Sequence, residues 1–233
     1  MNLFLKLVFI FFLGSTIGYF LELLYRRYKH GRWINPGFLV GPYLPIYGFG
    51  LIIMSAIDMW FDKLGLPIYL SILMIGISMT LLELVVGLLF LKQGVRLWDY
   101  RKEFLNFKGI ICPYFSFVWA ILGSLYIFFI EKRLMSAIDW FNDNISFSFV
   151  LGLFFGLIII DFGYSTKLFK KIRKYAKNNN IDIMYEKLKE HIKEIQKHNK
   201  EKYSFLLPFS QTKNLKEYLG MYFDKYNDKG DRK

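Results

Sequence analysis

The stretch Pro67–Leu91 carries one charged residue, Glu83, in an otherwise apolar run. A run of about 18 or more apolar residues is long enough to cross a bilayer, and few soluble folds can bury one. Comparable runs cover Leu3–Tyr25, Phe38–Ala56, Ile110–Ile130 and Phe147–Tyr164. The pattern predicts an all-α, polytopic membrane protein of about five transmembrane helices. The first run resembles a signal peptide, with Lys6 near its start, but it lacks a small-residue cleavage site. It is therefore read as a retained helix.

Two segments of the chain look alike. NPGFLVGPYLPIYGFG (Asn35–Gly50) is matched in weaker form by NFKGIICPYFSFVWAILG (Asn106–Gly123). Asn35 aligns with Asn106, and Pro42-Tyr43 with Pro113-Tyr114. An apolar helix with one acid, Glu22 or Glu83, precedes each copy, followed by a basic loop with a tryptophan, Trp33 or Trp98. This spacing predicts two parallel helix–loop–helix repeats, over 3–58 and 67–131, and a fifth helix over 147–164. Asp161 and Tyr164 in that last helix echo Glu22 and Tyr25 as a partial third copy. Together these segments make a transmembrane domain over 1–166.

Charge gives the orientation. Loops 26–37 and 92–108 and the segment after residue 166 are rich in Lys and Arg; loops 57–66 and 131–146 are not. Cytoplasmic loops carry the excess of Lys/Arg, which predicts an outside N-terminus and a cytoplasmic C-terminus in the cell membrane. Trp33 and Trp98 then fall at the inner interface, and Trp60 and Trp140 at the outer one. Residues 167–233 hold 18 Lys/Arg against 9 Asp/Glu, and this basic excess fits anionic headgroups better than nucleic acid. Ile181, Met184, Leu188, Ile192 and Ile195 recur at helical spacing, and Asn214-x-x-Glu217 reads as a capping box. The tail is therefore expected to be cytoplasmic, with two amphipathic helices that lie on the membrane surface or on a partner.

Glu22, Glu83 and Asp161 lie inside apolar helices. A charge there costs at least about 2.5–3.5 kcal/mol, so such residues usually face protein or a cavity. Glu22 can pair with Arg26. Glu83 is about 13 Å of helix away from Lys92, which favours a role on a substrate or ion pathway over a simple ion pair. Glu22, Asp161, Pro42, Tyr43, Pro113 and Tyr114 are assigned to the same pathway. Prolines and glycines in the first half of a membrane helix break it, and a break is tolerated only in protein or beside a water-filled cavity. Arg32, Trp33, Asn35, Arg96, Trp98, Asp99, Tyr100 and Asn106 form polar, aromatic loops suited to contact a ligand or partner.

No phosphate-binding loop, HExxH, CxxC or GxSxG pattern is present. No catalytic residue, metal ligand or cofactor is assigned. His30, His191 and His198 sit in polar segments and are read as solvated, and Cys112 as a packing residue.

The strings GFLVGPYLPIYGFG, MTLLELVVGLL (Met79–Leu89) and RLWDYRKEFLNFKGIICPYFSFVWAILG (Arg96–Gly123) are similar to the bacterial ABC-transporter type IV (CmpB-like) permease family over roughly residues 14–165. The matching positions are Pro42, Tyr43, Glu83, Trp98, Asp99, Tyr100 and Asn106. The resemblance implies a permease-like transport subunit. Its partners would be membrane lipids and a separate ATPase subunit, in a homo-oligomer or larger complex, without nucleic acid. Two other readings remain open: a membrane enzyme acting on lipid, and a non-catalytic assembly or regulatory protein.

Overall fold

The computed structural model describes residues 3–31, 33–179, 181–198 and 215–227. It is helical almost throughout, and its strands are two residues each. The helices are α1 (Leu3–His30), α2 (Pro45–Lys63), α3 (Ile68–Leu91), α4 (Pro113–Leu125), α5 (Glu131–Asp143), α6 (Ser148–Asn178), α7 (Tyr185–His198) and α8 (Leu215–Asn227). A π-helical turn, Tyr126–Ile130, joins α4 to α5 without a break. Among the described residues, four segments are long and apolar enough to cross a membrane: Leu3–Tyr28, Ile68–Leu91, Pro113–Asp143 and Ile145–Asn178.

The fifth expected span differs. Expected over Phe38–Ala56, α2 instead begins at Pro45 and runs on to Lys63. Asp58 and Asp62 lie in its last turns, and it is not among those four segments. Nor do the prolines break helices. Pro45 and Pro113 each occupy the first turn, after an extended residue. A first-turn proline loses no helical hydrogen bond, and its fixed φ suits the position. The segment expected as loop 131–146 is largely α5.

The chain divides into two compact units. The first comprises Met1–Tyr19, Tyr43–Val86 and Tyr100–Ile159. Its core includes Phe9, Ile75, Met79, Tyr126 and Phe141, with Phe9 stacked on Phe141 at 4.6 Å. Small residues let its helices approach closely. A Cβ on Gly123 would lie 2.7 Å from Ile75, and one on Gly18 would lie 2.3 Å from Cβ and Cγ of Tyr47. The backbone of α2 holds the Tyr47 Cβ, so it cannot swing aside. Gly18→Ala is therefore expected to destabilise the first unit by about 1–3 kcal/mol, the usual range for overpacking. A thermal melt in mild detergent reads this as a lower midpoint, and an unchanged midpoint contradicts the packing described.

The second unit comprises Phe20–Pro42, Gly87–Asp99 and Ile160–Lys233. Strand β1 (Val95–Arg96) pairs in parallel with β2 (Ile183–Met184), Val95 opposite Ile183. Gly94 turns into β1 with φ 74°, a left-handed conformation natural to glycine. The core joins Val95 to Ile172, Ile183, Leu188, Ile192 and Leu219. The apolar stripe of the tail is thus buried in this unit, not left for a membrane surface or a partner. Asn214 of the expected capping box lies outside the described residues, while Glu217 falls in the first turn of α8. His191 also differs from expectation. It is 7% exposed, its ring 6.1 Å from that of Tyr222. The side chains of His30 and His198 lie outside the described residues.

Candidate functional site

In the first unit the site is built on Glu83. Helix α3 carries it as the only charge among apolar residues, and the side chain is 4% exposed. The Tyr100 hydroxyl donates to Oε1 at 2.8 Å, and Trp119 Nε1 donates to Oε2 at 3.2 Å. A buried carboxylate is tolerated when its oxygens are hydrogen-bonded, and such bonds are stronger than neutral ones. The Tyr100 ring stacks on Phe115 at 4.2 Å, and Trp119 lies 6.2 Å from Tyr47. Three aromatic elements therefore frame one carboxylate: the loop after α3, the first turns of α4, and α2. Such a group can take up a proton or hold a cation against ring faces.

In the second unit the loop Trp33–Pro42 is held from several sides. Asn35 is 3% exposed. Its Oδ1 accepts from Gly37 N–H at 2.8 Å, and its Nδ2 donates to the Val40 carbonyl at 2.8 Å. Asp161 on α6 accepts from the N–H groups of Val40 and Gly41 at 2.9 and 2.8 Å, and from Ser165 Oγ at 2.8 Å. Consecutive N–H groups aimed at one anion make a backbone nest. Lys189 on α7 donates to the carbonyls of Asn35 at 3.0 Å and Gly37 at 2.6 Å. Arg26 pairs with Glu22 at 3.0 Å and with Glu186. Arg96 pairs with Asp182 of the tail at 3.5 Å.

Lys189 is fully enclosed, and burial pushes its ammonium down to about 7, with Arg26 adding to the effect and Glu186 and Asp161 opposing it. A neutral amine still has two N–H groups, enough for both carbonyls. The unfolded lysine titrates near 10.5. Between about 7 and 10.5 the unfolded chain therefore binds more protons, and stability rises with pH. The second unit is expected to gain stability between pH 7 and 10, by up to about 4 kcal/mol. Lys189→Met should flatten that slope, read by amide exchange of α7 across the window. An equal slope in the variant would assign it to another group.

The other expected site residues fall as follows. Tyr43 is buried, its ring 5.5 Å from Phe154. Tyr114 is 64% exposed and Pro42 is also exposed. Pro113 opens α4. Trp98 and Asp99 are half-buried. Trp33 accepts from Lys193 through its carbonyl at 3.1 Å and lies under the Arg27 guanidinium at 5.6 Å. Asn106 ties its own loop, with Oδ1 accepting from Gly109 N–H at 3.0 Å. Arg32 lies outside the described residues. Tyr100 is thus brought to Glu83, and Asn35 shares its loop with the N–H groups that hold Asp161. Trp119, Lys189, Asp182 and Glu186 were missed. An indole in an apolar helix needs an acceptor, so Trp119 was open to detection; the others carried no local signal.

A family model described as "Putative ABC-transporter type IV" matches residues 9–166. No curated protein matches the chain, and no solved structure does.

Proposed function

The chain belongs to the ABC-transporter type IV family, and from that premise we propose that it is the membrane-spanning, permease-like subunit of a transporter driven by a separate ATPase. The observation that carries this reading is Glu83, a buried carboxylate held by Tyr100 and Trp119 in a bilayer-length helix. Ionisable groups at such places mark substrate or ion paths. Glu83 then binds a proton, a cation or a polar substrate. Tyr43, Pro113 and Tyr114, in the same unit as Glu83, shape its path between two parallel repeats, where repeat-built transporters place their sites. The basic segments put the tail in the cytoplasm, and in this reading α2 also crosses, as the fifth span that an outside N-terminus requires. Because the spans are few, the working unit is a homo-oligomer or a larger complex.

The experiment is ATP turnover by the native complex in nanodiscs, wild type against Glu83→Gln. The proposal expects lower turnover with the partner still bound. Unchanged turnover removes Glu83 from the mechanism.

A second reading, a non-catalytic assembly protein, draws support from the folding of the tail onto the loops through Lys189, Arg26–Glu186 and Arg96–Asp182. Glu83→Gln separates the two: a transporter loses turnover with its partner still bound, whereas a scaffold keeps both.

A further inference from the structure

The segment Tyr100–Gly109 is a closed loop. Its neck is the bond from Tyr100 N–H to the Gly109 carbonyl at 2.9 Å. Asn106 ties it inside, donating to the carbonyls of Glu103 at 2.9 Å and Arg101 at 3.2 Å. Leu105 and Lys108 take positive φ, 50° and 53°. Non-glycine residues rarely enter that region, and they persist there only when their surroundings enforce it. What the loop presents is therefore built rather than incidental. Phe104 is 82% exposed, Leu105 70% and Phe107 50%. Arg101, Lys102 and Lys108 surround these three, against the single acid Glu103. Lys108 Nζ lies 5.5 Å over the Phe107 ring, with the charge beside the apolar face.

The neck is held at the level of the spans. The Tyr100 hydroxyl reaches Glu83, inside the segment Ile68–Leu91, and its ring stacks on Phe115, in the first turn of the segment Pro113–Asp143. A loop rooted there emerges into the headgroup layer, about 5–7 Å thick on each side of the hydrocarbon. Bulky apolar side chains ringed by Lys and Arg match that layer: rings at the acyl boundary and cations among phosphates.

We infer that the loop Tyr100–Gly109 is an anchor for an anionic bilayer surface, with Phe104, Leu105 and Phe107 inserted and Arg101, Lys102 and Lys108 on lipid phosphates. Tyr100 belongs both to the neck and to the Glu83 site, so lipid composition reaches the carboxylate through one side chain. This inference stands apart from the proposed transport role, since it rests on the loop and on its attachment to two membrane spans.

The test places a spin label at Leu105→Cys in a Cys112→Ala background, in nanodiscs of phosphatidylcholine with or without phosphatidylglycerol. Collisions with oxygen are compared with collisions with a water-soluble nickel chelate. With phosphatidylglycerol the label should favour oxygen. Each of Arg101→Gln, Lys102→Gln and Lys108→Gln should lower the insertion equilibrium constant, the ratio of inserted to exposed label, about fivefold. Amide exchange of residues 101–108 in the unlabelled chain gives a second readout, and phosphatidylglycerol should slow it. A label that favours the nickel chelate in both bilayers overturns the inference. Equal insertion in both overturns the recognition of charge, and protection that requires a co-purified protein assigns the loop to a protein partner instead.

Discussion

An Asp161→Ala chain is expected to lose about 2–4 kcal/mol from the second unit. The carboxylate accepts from Val40 N–H, Gly41 N–H and Ser165 Oγ. Alanine leaves two adjacent backbone donors without this acceptor. A buried donor left unpaired costs about 1–3 kcal/mol. Val40 and Gly41 are half-buried, so water recovers part of that, and the total falls below the upper sum. Asp161→Asn keeps one acceptor oxygen and should cost about half as much. The readouts are the thermal midpoint and the amide exchange of Val40 and Gly41, which should speed up together. An Asp161→Ala chain that melts and exchanges like the wild type would show that the nest contributes nothing.

The second large effect falls on activity. Glu83→Gln is nearly isosteric, yet it replaces an acceptor oxygen with an amide that donates. One of the two donors, the Tyr100 hydroxyl or Trp119 Nε1, then faces another donor. A hydrogen bond to a charged group contributes about 1.5–3 kcal/mol, which corresponds to a loss in turnover of about 10- to 100-fold if the charge acts in the transport cycle. Tyr100→Phe removes one donor and keeps the charge, so its loss should be the smaller. Turnover per folded molecule must be measured beside the thermal midpoint. A pathway role lowers turnover per folded molecule, whereas a purely structural role lowers the midpoint and leaves turnover per folded molecule unchanged.

The comparison of these two sites shows what local pattern can carry. Bilayer-length apolar runs and the solitary Glu83 were visible because hydropathy and helical period are properties of neighbouring residues. The alignment of Asn35 with Asn106 pointed to two residues that each tie a loop. The partners of those residues were not legible. Lys189 meets the Asn35 carbonyl across a separation of 154 residues, and nothing in the spacing of the tail records it. Its stripe of apolar residues predicted one helix, which holds from Leu188 to Ile195, whereas Ile181 and Met184 precede α7 and Met184 lies in β2. Trp119 lies 36 residues from Glu83, and only the need of a buried indole for an acceptor hints at the pair. The prolines misled for a physical reason. Proline disrupts a helix interior yet favours its first turn, so a shift of a few residues in the helix start reverses its meaning.

Purification of the full-length chain from its native membranes in mild detergent, with quantitative mass spectrometry of what accompanies it, tests the central claim most directly. A membrane subunit of an ABC-type transporter should bring an ATPase subunit in a fixed ratio, retained in the Glu83→Gln chain. Recovery of the chain alone, or with lipid and no ATPase, would contradict that assignment.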